Sequence, residues 1–406
     1  MNARKTAWYI LCRVMLEGGY ASLLMRSMPR ELSAEDRALV SEIVYGTLRN
    51  KDMLERQWKD LAKGRVRPKT AVLLDLSVYQ IQYMSRIPLY AVIHEAVELA
   101  EKREKGFVNA VLHAVSKQEL LDAEGEGLEY EAVKTSHPLF LLKLWSAQYG
   151  EETALAIARH DQKPSRVYAR INTLKAARKE FEIDGVTFYE NDCFSYEGDL
   201  VHSTWLAEGK ALIQDRASQK IAPLLDVQDG MRVLDVCASP GTKTQQIACL
   251  MHNKGQIDAH DLYPERVKLI DALMERTGVS IVRASVHDGT VSLKETAVYD
   301  RILIDAPCSG LGDLSHKPEI RYHVTPESLD ELVQLQKEIL SANADSLKPG
   351  GKLVYSTCTL NRKENEGQIS RFLNEHPDYQ LLEEHTVFPF EEDTDGFYMA
   401  CLKKSL

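Results

Sequence analysis

A repeated order of strand, loop and helix in the second half of the chain constrains the fold most strongly. From residue 226 onward, short β-branched runs recur at 231–237, 255–261, 280–285, 299–307 and 351–358, and amphipathic stretches separate several of them. This order predicts a parallel, doubly wound sheet covered by helices, a Rossmann-like α/β domain. Because ligands of such sheets bind beyond the carboxyl ends of the strands, we expect the chemistry in the loops that follow each strand.

The first half of the chain has a different pattern. Apolar residues at three- and four-residue spacing predict an all-helical domain, and Ser33 followed by Asp36 is a helix-start signal. The middle of the chain mixes helical and strand-like stretches, which indicates a linker and a small α+β module. We therefore predict three parts: 1–125, 126–225 and 226–406.

Composition excludes several classes of protein. The net charge of −10 argues against a protein that binds nucleic acid over its whole surface. No stretch reaches the roughly 18 uncharged apolar residues of a membrane span, and Arg13 interrupts the N-terminal apolar run too early for a signal peptide. The seven cysteines are scattered without a CxxC pair, so we expect neither disulfides nor a metal site. We expect a cytoplasmic protein with no membrane association, and nothing in the sequence demands more than a monomer.

One segment, residues 49–69, is locally basic. It holds eight Lys or Arg residues against three acids. A solvated helix face is the simpler interpretation of such a segment. Together with the site described next, contact with nucleic-acid phosphates becomes the preferred interpretation, and Arg65 and Arg67 are the residues we expect to make it.

The loop after the first predicted strand and the ends of the next two strands indicate a nucleoside site. The loop lacks the glycine spacing of dinucleotide- and triphosphate-binding motifs. Its sequence therefore predicts a loop whose backbone approaches a ligand closely but does not bind phosphate groups. Asp261 ends the second strand, where an acid accepts hydrogen bonds from ribose hydroxyls. Asp288 follows the third strand, where it would lie near an adenine, although a turn former is an equally good interpretation. A nucleoside site without a phosphate cradle points to S-adenosylmethionine.

Two cysteines, Cys308 in "DAPCSG" and Cys358 in "YSTCTL", each follow a strand of the same predicted sheet. A buried cysteine at a strand end is more often a core residue, but we expect these two to face one crevice. Two thiols suit methylation of cytosine at carbon 5, because a thiolate that adds to carbon 6 makes carbon 5 nucleophilic and a second group assists the release. The residues alone leave open which thiol attacks.

Five motifs carry a resemblance to the Sun-type RNA cytosine-5 methyltransferases: "QDRAS", "DVCASPGTKT", "DAPCSGLGDLSHKPEIR", "KPGGKLVYSTCTLNRKENE" and "DGFYMACLKK". The helical first part also resembles the NusB-like RNA-binding domain of the bacterial members that modify small-subunit (16S) ribosomal RNA. The resemblance implies an S-adenosylmethionine-dependent enzyme that acts on that RNA.

The resemblance also implies residue roles. Cys358 is the nucleophile and Cys308 assists product release. Lys243 and Asp305 contact the target cytosine. The cofactor contacts are Cys237, Ala238, Ser239, Pro240, Gly241, Thr242, Lys243, Asp261, Asp288 and Asp305. The common loop form is CAAPGGKT, so Ser239 and Thr242 replace an alanine and a glycine here.

Two other functions stay open at this point. An adenine amino-group methyltransferase would carry Asp or Asn, Pro, Pro and an aromatic residue after the fourth strand, and "DAPC" argues against it because it lacks the second-position proline and the aromatic ring. An RNA-binding or assembly protein with an inactive methyltransferase fold is the second. Calorimetric titration with S-adenosylmethionine separates this second function from an enzyme.

Overall fold

The computed structural model describes residues 2–29, 31–294 and 296–406, and these divide into two compact units. The first unit is the chain up to Pro164 together with Leu314–Val324. The second unit is Ser165–Asp313 together with Thr325–Leu406. A segment of the second half of the chain is therefore packed into the helical unit.

The helices, in chain order, are α1 (Ala3–Glu17), α2 (Ala21–Arg26), α3 (Ala34–Arg49), α4 (Lys51–Lys59), α5 (Pro68–Tyr83), α6 (Leu89–Leu99), α7 (Lys105–Val115), α8 (Gly127–Lys134), α9 (Leu139–Tyr149), α10 (Glu151–His160), α11 (Thr204–Ala207), α12 (Arg216–Gln219), α13 (Ile221–Leu224), α14 (Thr242–Leu250), α15 (Pro264–Thr277), α16 (Ile320–His323), α17 (Pro326–Ala344), α18 (Glu366–Glu375) and α19 (Pro389–Glu392). A 3-10 helix spans Arg178–Phe181.

The strands are β1 (Tyr168–Ile171), β2 (Val186–Phe188), β3 (Cys193–Tyr196), β4 (Ala211–Ile213), β5 (Arg232–Asp235), β6 (Gln256–Asp261), β7 (Val282–Val286), β8 (Tyr299–Asp305), β9 (Leu347–Thr357), β10 (Tyr379–Val387) and β11 (Phe397–Lys404). β1–β4 form an antiparallel sheet in the order β2–β3–β1–β4. β5–β11 form a seven-stranded sheet in the order β10–β11–β9–β8–β5–β6–β7.

The first unit is built from helices α1–α10 and α16, which confirms the prediction of an all-helical N-terminal domain. The hydroxyl of Ser33 accepts a hydrogen bond of 3.1 Å from the backbone N–H of Asp36, as the helix-start signal predicted. Leu11, Ile43 and Leu112 are fully buried in its core.

The predicted middle part, 126–225, falls in both units. Its helices α8–α10 belong to the first unit, and its strands β1–β4 belong to the second. The α+β module is thus represented by the four-stranded sheet, and the division of the chain into three parts stays a prediction.

The seven-stranded sheet corrects one expectation of the sequence. β5–β9 are parallel, as predicted, but β11 runs antiparallel to both β9 and β10. The physical reason is the short connection at 388–396, because a connection of that length joins antiparallel neighbours and cannot form a crossover. The sheet is therefore mixed, with one antiparallel edge.

Helices cover both faces of this sheet. Val233 of β5 packs in one buried cluster with Ile247 of α14, and the next residue, Leu234, packs in another with Ile339 of α17. Successive side chains of a strand point to opposite faces, so β5 is buried on both sides. This burial confirms the doubly wound interpretation.

The chain has no candidate for a membrane span among its described helices: none combines the necessary length with the necessary hydropathy.

Candidate active site

The candidate site lies where the strand order of the large sheet reverses. β6 and β7 lie on one side of β5, and β8 and β9 lie on the other. Because these five strands are parallel, the loops that follow β5, β8 and β9 leave the sheet at the same edge. The reversal between β5 and β8 opens a crevice at their carboxyl ends, which is where such sheets bind ligands.

The loop after β5 is held against β6. The backbone N–H of Ala238 donates to the carbonyl of His260 at 2.8 Å, and the N–H of Ser239 donates to Oδ2 of Asp261 at 3.3 Å. Gly241 caps α14 with φ of +102°, and a Cβ there would lie 3.2 Å from Cε of Met274. Both the left-handed backbone and the close contact require glycine at this position.

Gly241→Ala is expected to weaken S-adenosylmethionine binding about tenfold or more, because the methyl group strains the left-handed backbone of the loop and presses against Met274 and Leu273. Gly230→Ala is the matched control, since Gly230 also has positive φ, +88°, but no atom lies within 4 Å of its Cβ position. Both variants carry the left-handed penalty of about 1–2 kcal/mol, which melting temperatures will report. Equal affinities for the cofactor in the two variants would contradict a binding role of this loop.

Asp235, at the end of β5, is a site residue that the sequence interpretation missed. Its Oδ2 accepts a 2.7 Å hydrogen bond from Thr244 Oγ1, whereas its buried Oδ1 has no hydrogen-bond partner among the described residues. Burial raises the pKa of Asp235 to about 7, Thr244 opposes this rise, and the carboxylate of Asp305 adds to it. The only sequence signal was its place at a strand end, directly before the loop.

Asp235→Asn is expected to be more stable than the wild type, by a margin that grows as pH rises. The folded-state pKa lies above the unfolded value of 3.8, so the stability contributed by the protonated carboxyl is lost as pH rises towards about 7. Melting temperatures of both proteins from pH 5 to pH 8 test this. The difference should increase up to about pH 7 and then level off, and a difference that is independent of pH would contradict the shift.

Two of the three predicted cofactor acids, Asp261 and Asp288, differ in surroundings. Asp261 is buried, and besides Ser239 it accepts a hydrogen bond of 3.3 Å from the N–H of Tyr263. Asp288 is exposed, and its Oδ1 accepts hydrogen bonds from the N–H and hydroxyl of Thr290 at 2.9 and 2.7 Å, which lower its pKa. The structure thus gives Asp288 the geometry of a turn former, and its contact with the cofactor stays a prediction.

Lys243 and Asp305 form an ion pair in this crevice. Nζ of Lys243 lies 2.7 Å from Oδ2 of Asp305, and the hydroxyl of Ser356 donates to Oδ1 at 2.7 Å. Asp305 and Ser356 are register partners on β8 and β9. Burial lowers the pKa of Lys243, but Asp305 and Cys358 outweigh it and the net shift is upward. Lys243 therefore stays an ammonium ion, paired with Asp305 and within electrostatic range of Cys358.

The two predicted cysteines meet at this edge of the sheet. Sγ of Cys308 lies 3.4 Å from Sγ of Cys358, and both residues are partly exposed. The hydrogen bond with Cys358, burial and the charge of Glu364 raise the pKa of Cys308 well above its ordinary value. Cys308 is therefore a neutral thiol, whereas Cys358 has the Lys243 ammonium in its surroundings.

Arg65 and Arg67 lie in the first unit and are exposed. Arg67 Nη1 is paired with Glu101 Oε2 at 2.6 Å, whereas Arg65 forms no ion pair with any residue that the structure describes. Several other bases of the segment 49–69 also pair with acids, namely Lys51, Arg56 and Lys59. Much of the segment's charge is thus neutralised locally, and RNA binding there stays a prediction.

Comparison with known proteins matches both parts of the chain. The sequence model of the family described as "16S rRNA methyltransferase RsmB/F" matches residues 222–403, and that of the "NusB family" matches residues 1–117. The probable ribosomal RNA small subunit methyltransferase B of Bacillus subtilis is 36% identical, over 99% of each chain. The chain belongs to the ribosomal RNA small subunit methyltransferase B family.

Other members and a solved structure agree with this assignment. The probable methyltransferase B of Synechocystis is 32% identical over 100% of each chain. A crystal structure of a methyltransferase homolog protein from Pyrococcus horikoshii is 26% identical, with a TM-score of 0.61, over 69% of this chain and 100% of that one. Membership of this family confirms the Rossmann-like fold and the dependence on S-adenosylmethionine that the sequence predicted.

Proposed function

We propose that this methyltransferase forms 5-methylcytosine in 16S ribosomal RNA through a covalent bond between Cys358 and the base, with Cys308 assisting release. The observation that carries the proposal is the 3.4 Å separation of the two sulfur atoms after neighbouring strands β8 and β9. Transfer to an exocyclic amino group needs no thiol pair, so this geometry favours carbon 5 of cytosine.

The residues of the crevice fit the cofactor. The buried Oδ1 of Asp235, which has no hydrogen-bond partner among the described residues, and the buried carboxylate of Asp261 can accept hydrogen bonds from a nucleoside. The loop that ends at Gly241 lets the backbone approach a ligand closely, and it has no phosphate-binding motif. We assign the cofactor contacts to the loop 237–243 and to Asp261, Asp288 and Asp305. When bound, S-adenosylmethionine supplies an electrophilic methyl group.

The chain's own residues then divide the work. Cys358 attacks carbon 6 as a thiolate, with the Lys243 ammonium in its surroundings, and the π electrons of the carbon 5–carbon 6 bond move to carbon 5 for methylation. The carbon 5 proton then passes to water, the sulfur–carbon 6 bond breaks, and its electron pair returns to sulfur. Cys308, a neutral thiol 3.4 Å away, acts as the acid that passes a proton to the departing sulfur and then recovers one from solvent.

Product analysis tests this proposal. The protein is incubated with bacterial 16S RNA and methyl-labelled S-adenosylmethionine, and the RNA is digested to nucleosides. We expect the label in 5-methylcytidine. Label in a methylated adenosine would contradict the proposal, and so would cofactor binding by calorimetry without any labelled nucleoside.

Arg65→Glu and Arg67→Glu are expected to weaken RNA binding, because each replaces an exposed cation by an anion that repels phosphate. If each arginine contacts one phosphate, the slope of log affinity against log salt should fall by about 0.7 per contact for single-stranded RNA. Lys117→Glu, an equal charge change at an exposed residue outside the segment 49–69, is the matched control. Unchanged affinity in the arginine variants would place RNA binding elsewhere.

Because ribosomal RNA is the substrate, we also propose that the enzyme acts in the cytoplasm.

A further inference from the structure

Glu364 is a fully buried carboxylate close to the two cysteines that the proposed reaction does not yet use. No ion pair joins it to any cation that the structure describes. Instead it accepts four hydrogen bonds: from the N–H and hydroxyl of Ser309 at 2.9 and 2.6 Å, from Gln336 Nε2 at 2.9 Å and from Asn361 Nδ2 at 3.0 Å. A buried charge without a counter-ion persists only where hydrogen-bond donors surround it. These four donors therefore stabilise the carboxylate of Glu364 in its buried position.

These hydrogen bonds join the loops of the two cysteines. Ser309 directly follows Cys308, and its hydroxyl oxygen lies 2.6 Å from Oγ1 of Thr359, which directly follows Cys358. Thr359 Oγ1 in turn accepts a hydrogen bond of 3.3 Å from the N–H of Leu311. The chain of hydrogen bonds therefore runs from Glu364 through one loop to the other.

Gln336 adds a second connection on the other side of Cys308. Its Nε2 donates both to Glu364 and to the carbonyl of Pro307, at 2.9 and 3.0 Å. The residues immediately before and after Cys308 are thus both tied to Glu364, one through Gln336 and one directly.

We propose that Glu364 is a positioning residue, whose carboxylate holds the loop of Cys308 against the loop of Cys358 and so fixes the distance between the two sulfur atoms. This inference rests on the proposed function, because the distance matters to catalysis only if both thiols act on one base. Glu364 also contributes to the raised pKa of Cys308, so its charge supports the neutral form of that thiol.

Disulfide cross-linking without RNA or cofactor reports how readily the two sulfur atoms reach bonding distance, when the variants are compared at a pH where Cys308 alkylates at the same rate in each. Diamide, an azo oxidant, takes two electrons and two protons from the thiol pair and becomes a hydrazine, while the sulfur–sulfur bond forms. Peptide mass spectrometry then follows the bond between Cys308 and Cys358. Glu364→Ala is expected to slow its formation about tenfold or more, and Glu364→Gln, which can still accept two of the four hydrogen bonds, should lie between Ala and wild type.

Two further variants keep this test decisive. Ser309→Ala removes the hydroxyl that joins Glu364 to Thr359, and it should slow cross-linking even if Glu364→Ala does not fold. Glu366→Gln changes a partly buried acid whose ion pair is with Arg362 at 3.8 Å and which forms no hydrogen bond with Ser309 or Thr359, and it should leave the rate unchanged. Calorimetric binding of S-adenosylmethionine serves as the fold control, because Glu364 makes no hydrogen bond to the loop after β5.

A pH profile separates positioning from mere stabilisation. Alkylation of Cys308 by iodoacetamide should begin at lower pH in Glu364→Gln than in wild type or Glu366→Gln, because the nearby negative charge is gone. Equal cross-linking rates in wild type, Glu364→Gln and Ser309→Ala would overturn the positioning role, whatever the product assay gives. Absence of 5-methylcytidine from the wild-type reaction would overturn the proposed function, while the cross-linking rates would still decide the geometry.

Discussion

Replacing Cys358 by serine is expected to abolish methyl transfer, with a loss of turnover of at least about a thousandfold. A serine hydroxyl beside the Lys243 ammonium stays protonated, because its pKa lies far above that of a thiol, so the bond to carbon 6 does not form. Incorporation of labelled methyl groups into 16S RNA measures the loss. A denaturing gel should show no protein–RNA adduct for this variant.

Cys401→Ser is the matched control for this substitution. Cys401 lies on β11 of the same sheet, is buried, and its Sγ donates to the carbonyl of Leu224 at 3.5 Å, which a serine hydroxyl can replace. This control should retain methylation. Full activity of Cys358→Ser would remove Cys358 from the reaction, and an adduct in that variant would make Cys308 the attacking residue.

Cys308→Ser is expected to accumulate a covalent protein–RNA adduct and to turn over about a hundredfold more slowly or worse. The reason is that the attack by Cys358 is intact, whereas a serine hydroxyl, whose pKa lies far above that of a thiol, cannot pass a proton to the departing sulfur as the thiol 3.4 Å away can. The adduct should appear on a denaturing gel only when S-adenosylmethionine and RNA are both present. Normal turnover without an adduct would show that Cys308 has no part in release.

The sequence allowed much of the α/β domain to be predicted. Each predicted strand of β5–β9 is present, because β-branched runs between polar loops are local signals. The meeting of Cys308 and Cys358 also followed from local information, since the carboxyl ends of neighbouring parallel strands share one edge of a sheet.

Other features depend on tertiary contacts that spacing does not encode. The antiparallel β11 was missed because strand direction is set by pairing and connection length. The packing of Leu314–Val324 into the helical unit was missed because nothing in the local pattern marks an insertion. The roles of Asp235 and Glu364 depend on burial and hydrogen-bond partners, which an acid in a sequence does not reveal.

The central claim is that Cys358 forms the bond to the base, and trapping on 16S RNA that contains 5-fluorocytidine tests it most directly. Fluorine at carbon 5 cannot leave as a proton does, so the wild-type adduct should persist after methylation. Trypsin separates the two cysteines, with Cys358 in the peptide 353–362 and Cys308 in the peptide 302–321. The account predicts the methylated nucleotide on Cys358, by mass spectrometry of the nuclease- and trypsin-digested adduct. A nucleotide on Cys308, or no adduct from RNA whose unsubstituted form is methylated, would contradict it.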